Sequence, residues 1–124
     1  MIPADARGGR YGRVLAGLGA LLAALAIGLS AYAAHGVAPG KAQDWLHTAS
    51  MYAFAHGFAL AVLAPRAGDR LTRLAAGLWL AGTVLFCGSL AGGALWGWPT
   101  RLAPAGGVAL MAGWLAWAVA SLRR

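Results

Sequence analysis

Charge is what this sequence has least of. Only 10% of its 124 residues are charged, and just three, Asp5, Asp44 and Asp69, are acidic. An ordinary soluble domain is about a quarter charged. So sparse a set cannot solvate a globular surface, so much of the surface must face lipid. The scarcity of acids excludes more. No Asp or Glu falls inside an apolar stretch, which leaves a proton pump or coupled transporter without the carboxylates of a relay. Ser50 and Ser89 likewise lack a carboxylate-oriented base, so no Ser-His-Asp set forms. Cys87 is the single cysteine and makes no intramolecular disulfide; inside an apolar run it reads as a small buried hydrophobe. Phosphate loops and nucleotide fingerprints are missing, and the glycine-rich run 88–93 lies inside a span, where packing accounts for it. An enzyme is not expected.

Apolar residues are plentiful: 60% of the chain is hydrophobic, and the mean hydropathy is +0.68. Four apolar segments, at about 14–35, 45–64, 72–94 and 102–122, each approach the roughly 20 residues that cross a bilayer as a helix. The separators GVAPGKAQD, PRAGDR and WGWPT are short and carry proline and glycine. Short links make consecutive helices antiparallel, so the expected fold is an all-α, up-down four-helix transmembrane bundle. It forms one domain over 14–122, with a basic tail at 1–13 and a short end at 123–124. Arginines before the first run and the Ala31-Tyr32-Ala33 triplet also suit a secretory signal peptide, but the run exceeds the usual 7–15 residue core, so the segment is read as retained.

The net charge of +7 does not point to nucleic acid, because the arginines cluster between the spans and not along one face. With the N-terminus inside, Arg7, Arg10, Arg13, Arg66, Arg70, Arg73, Arg123 and Arg124 fall on the cytoplasmic side, against Lys41 and Arg101 outside. Both termini are therefore expected in the cytoplasm, in a bacterial plasma (inner) membrane. Trp45, Trp96 and Trp98 cluster at the other interface; Trp79, Trp114 and Trp117 lie deeper.

Helix association in lipid depends on small residues and interhelical hydrogen bonds. Ala16, Ala20, Ala24 and Gly28 form a smooth stripe on the first span. Gly77, Ala81, Gly88 and Gly92 do so on the third, and Gly106, Gly107 and Gly113 mark the fourth. Pro104 suits the first turn of the fourth helix, and the Ala105-Gly106-Gly107 behind it suggests an irregular turn or a very close neighbour.

Polar groups at depth lie almost entirely on the second span. Thr48, Tyr52 and His56 repeat every four residues and so share a face. His47 points to roughly the opposite side, near the end where His35 closes the first span; interfacial placement near Trp45, and helix capping by His35, are the plain expectations for these two. Together they make a poor metal pair without a carboxylate or thiolate. A bis-histidine haem would need His56 from two subunits. No metal or other cofactor is expected. For His56 itself two readings stand. One is a neutral imidazole bonded to Ser89, Thr83 or a backbone carbonyl, pinning helices together. The other is a proton or substrate site shared with Tyr52 and Ser89.

The runs SAYAAHG (30–36), TASMYAFAHGFAL (48–60), VLFCGSL (84–90) and PAGGVALMAGW (104–114) resemble those of domain-of-unknown-function family 423, the transmembrane protein 256-like family, in order and spacing over about 14–122. By position the resemblance marks Ala34, His35, Gly36, Thr48, Tyr52, His56, Phe86, Gly88, Ser89, Pro104, Gly106, Gly107, Gly113 and Trp114. This chain departs at Ser30 and Ala33, where glycines are typical, at Cys87 for serine, at Ala91 for tyrosine and at Ala103 for threonine. The resemblance implies a four-span architecture and no particular reaction. The expected function is a non-enzymatic accessory or assembly subunit, packing by its small-residue faces against itself or a larger membrane complex and touching lipid but not nucleic acid. The alternative is a small transporter or channel with a polar path around His56.

Overall fold

The computed structural model describes residues 5–124, with side chains from Gly9 onward. Residues 1–4 of the basic tail, and the Arg7 side chain counted above, lie outside that description. Four helices follow one another, α1 (Asp5–Gly36), α2 (Lys41–Leu63), α3 (Arg70–Trp96) and α4 (Leu102–Leu122), with a 3-10 turn at Ala64–Arg66. Each is long and apolar enough to cross a membrane, and no strand occurs among the described residues. This is the all-α, four-helix architecture of a multi-pass membrane protein.

Local chemistry sets the helix ends. Asp69 and Thr72 form a reciprocal capping box at the start of α3. Thr72 N–H donates to Asp69 Oδ1 over 2.8 Å, and Asp69 N–H donates to Thr72 Oγ1 over 3.3 Å. Gly97 ends the same helix at a φ of 71°, a left-handed cap that suits glycine. Trp98 then folds back onto Gly92, where a Cβ would run into its indole. The Gln43 side chain takes up the Ala33 and Val37 carbonyls at the end of α1, at 2.9 and 3.2 Å. Gln43, not His35, therefore caps that helix. The helix α1 begins at Asp5, so Arg10 and Arg13 of the basic stretch extend the rod ahead of the apolar run. At 1.5 Å per residue α1 is about 48 Å long, against a hydrocarbon core of about 30 Å.

The helices do not form a square. α2 and α3 make the central pair, α1 packs on α2 and leans toward α3, and α4 packs on α3; α1 and α4 do not pack against each other. The outer helices accordingly bury less of themselves than the central two. Their outward residues include Leu21, Leu25 and Ile27 on α1, and Val108, Met111 and Leu115 on α4. These are lipid-facing positions in a bilayer.

Two glycine crossings hold the outer helices to the centre. A Cβ at Gly19 would stand 2.6 Å from the Gly57 carbonyl oxygen, so α1 and α2 touch backbone to backbone. At the other flank a Cβ on Gly106 would stand 2.8 Å from the Gly82 oxygen and 2.9 Å from Phe86 Cα. The Ala105-Gly106-Gly107 run is thus regular helix, and the very close neighbour is α3. Of the other glycines singled out for packing, Gly77 faces the Tyr11 hydroxyl and Gly113 the Trp79 indole. Gly92 meets Trp98 of its own connection, and Gly107 lightly faces Phe86. Gly28 and Gly88 face open space. The Ala20–Ala24–Gly28 part of the first stripe is exposed, and α1 packs instead through Gly12, Leu15, Gly19, Ala26 and Ala33.

Candidate functional site

His56 sits on the inward face of α2 and is 5% exposed. Its two nitrogens have different partners. Nδ1 is 2.8 Å from the Tyr52 carbonyl oxygen one turn back, and Nε2 is 3.0 Å from Trp114 Nε1 on α4. A carbonyl only accepts and an indole N–H only donates. Nδ1 must therefore carry the proton and donate to Tyr52, while bare Nε2 accepts from Trp114. That assignment makes the ring neutral and leaves it no unused hydrogen-bonding position. The bond also joins α2 to α4, which otherwise scarcely touch.

Aromatic rings extend from this pair. Tyr52 stacks on His56 with centroids 6.1 Å apart and planes 9° from parallel, and meets Phe86 of α3 edge-on at 4.9 Å. Trp114 lies 4.3 Å from Trp79, which in turn lies 5.2 Å from Trp117. Trp79 is fully buried between α3 and α4, and Gly113 leaves the room for its ring. Trp79 thus packs between helices, whereas Trp114, 43% exposed, and the half-buried Trp117 also keep a face outward.

Thr83 and Ser89, the expected side-chain partners of His56, do not bond it. Both are buried, and neither hydroxyl has a partner among the described residues; the Trp79 indole N–H has none either. The face Thr48–Tyr52–His56 divides: His56 points inward, Tyr52 is 41% exposed at the rim of a niche, and Thr48 is half-buried. Trp114 is the partner that sequence reasoning missed. The signal was depth. In an up-down bundle α2 and α4 start from the same end, and His56 lies fifteen residues after Lys41 while Trp114 lies twelve after Leu102.

Three clefts open on the flanks. One, about 720 Å³, runs between α1 and α2 past Ser30, His47 and Ser50; Ser50 Oγ is already engaged, donating to the Leu46 carbonyl at 2.8 Å. His35 is exposed at the end of α1, outside that lining. No group of three or more His, Cys, Asp and Glu comes together among the described residues. A second cleft of about 520 Å³ separates α1 from α3. Ala24 and Gly28 form one wall, Gly88 and Ala91 the other, with Ala53 and Cys87 in the floor. The third, about 290 Å³, lies between α2 and α4 beside Tyr52 and Trp114.

The end that carries both termini is basic. Tyr11 O–H donates to the Arg73 carbonyl at 2.8 Å, tying α1 to α3 there, and Asp69 stands 3.7 Å from Arg123. The Asp69 carboxyl is held below its ordinary pKa, first by the Thr72 hydroxyl, then by the Thr72 N–H, with Arg123 and Arg124 adding to the effect.

A family model described as a protein of unknown function, DUF423, matches residues 29–107. That stretch holds His35, the whole of α2 and α3, and the start of α4 from Leu102 to Gly107. The chain belongs to this family. No solved structure matches it.

Proposed function

We propose that this DUF423 member is a non-enzymatic accessory subunit of the bacterial plasma membrane, with cytoplasmic termini, which receives a transmembrane helix of a second copy or a larger complex in the cleft between α1 and α3. The observation carrying this reading is that Gly28 of the first stripe and Gly88 of the third line that one cleft and are unused inside the chain. Gly28 and Gly88 each face open space, and Ala24, Ala53 and Ala91 keep the walls and floor low. Interfaces between membrane helices favour such residues because they allow backbones to approach. Rims of Leu22, Leu25 and Tyr32 supply apolar contact on the α1 side. The arginines grouped at the terminal end support the orientation.

A conducting path at His56 has less support. Both ring nitrogens are engaged, and neither Thr83 nor Ser89 extends a polar chain from it.

The test is association in lipid nanodiscs, read by native mass spectrometry and by crosslinking through Cys87, the single cysteine, in the cleft floor. Wild type is expected as an oligomer or with a co-purifying membrane protein, and Gly28→Leu with Gly88→Leu releases a folded monomer. Monomers alone with no partner recovered, or association untouched by both substitutions, refute the reading. Proteoliposome flux abolished by His56→Ala would favour the transporter instead.

A further inference from the structure

The niche between α2 and α4 holds a polar group that the proposed function does not use. It is walled by Tyr52, Phe86, Trp114 and Met111, with His56 behind and Gly107 leaving one side low. Tyr52 lies about 17 Å along α2 from Lys41, near the middle of a membrane-spanning rod. Its hydroxyl has no hydrogen-bond partner among the described residues, and the side chain is 41% exposed. A phenol at that depth meets hydrocarbon and not water, so its O–H requires an acceptor from elsewhere. His56 cannot serve, because Nε2 already accepts from Trp114 and Nδ1 donates to the Tyr52 carbonyl.

We propose that this niche binds the head of a lipid-soluble planar carbonyl compound of the quinone class, with Tyr52 O–H donating to a carbonyl oxygen and the Phe86 and Trp114 rings flanking the plane. Three features select that chemistry. No charged residue lines the niche, which calls for a neutral guest. The walls are largely aromatic, and aromatic rings pack well against a flat π-system. An acyl chain would satisfy the walls and leave the hydroxyl unpaired, whereas a ring carbonyl satisfies both. The space of about 290 Å³ admits one ring, and its side opening leaves an apolar tail in lipid. Only binding is proposed; no electron transfer is part of it. The site lies on the flank opposite the α1/α3 cleft and does not rest on the docking role.

The experiment titrates the full chain in nanodiscs with decylubiquinone, and separately with decylbenzene, a ring lacking the carbonyls. Saturable quinone binding is expected. Tyr52→Phe, which keeps the ring, weakens it about tenfold, the worth of one hydrogen bond. Gly107→Leu, where an added Cβ meets Phe86 only at ordinary contact distances of 3.8 and 4.0 Å, abolishes it by filling the slot. Decylbenzene binds more weakly than the quinone and does not distinguish wild type from Tyr52→Phe. No saturable quinone binding, binding indifferent to Tyr52→Phe, or equal affinity for decylbenzene overturns the proposal.

Discussion

Removing the indole N–H that His56 accepts, by Trp114→Phe, tests the one side-chain bond that joins α2 to α4. Phenylalanine keeps an aromatic ring near the 6.0 Å contact with the imidazole while deleting the donor. The bond is 3.0 Å long and joins neutral partners, so the applicable scale is that of interhelical membrane hydrogen bonds, about 0.6 and at most about 1.7 kcal/mol. Nε2 then stands as an orphaned buried acceptor, and such groups cost about 1–3 kcal/mol. Trp114→Phe should therefore destabilise by about 1–2 kcal/mol. His56→Ala should cost more, because it also leaves a void at a buried site. Reversible unfolding in mixed micelles of wild type, both singles and the double variant gives the coupling, expected at about 0.6–1.7 kcal/mol. A coupling inside the additivity error of about 0.3–0.5 kcal/mol refutes the pinning argument. Nitrogen-15 NMR of labelled histidine supplies an independent check: His56 should appear as the neutral ring protonated at Nδ1, and a proton on Nε2 would contradict the geometry.

The glycine crossings predict a contrast that composition alone does not. Gly19→Ala and Gly106→Ala press a methyl into backbone 2.6–2.9 Å away and should each cost about 1–3 kcal/mol, while Gly28→Ala should change unfolding by less than about 0.5 kcal/mol; equal effects at all three sites would refute the packing. At the terminal end, the depressed Asp69 carboxyl means its stabilisation is complete above the ordinary carboxylate pKa of about 3.9 and is lost as pH falls through the lower folded value. Asp69→Ala should accordingly lower Tm at neutral pH, and the gap to wild type should close on acidification toward pH 3; a gap that widens there would reverse the assigned sign.

Much of the fold was legible because lipid imposes few solutions. Apolar length gave four helices, and Pro-Gly punctuation gave the turns. The ends were less exact: the helical pattern of Asp5–Arg13 was hidden by its arginines and glycines, which read as a tail. At the site, four-residue spacing found Tyr52 and His56 together, and their contact through the Tyr52 carbonyl and stacked rings follows from being one turn apart. Trp114 escaped because long-range pairing depends on which helices are neighbours, and that information is not periodic.

The two small-residue stripes show why inward and outward faces are hard to separate in such a chain. In water, polar residues mark the exposed side of a helix. Here α1 presents Gly19 to α2 and Gly28 to the outside, and both neighbours are apolar, so no contrast of polarity records the difference. Only the helix geometry separates them. Nine residues apart, the two glycines differ by about 180° around a helix of 3.6 residues per turn, so one packs and the other must face away. The Ala20–Ala24–Gly28 stripe was visible in the sequence, but its direction was not. Its openness in the folded chain, in one cleft with a likewise open Gly88, is the feature on which the proposed docking role rests.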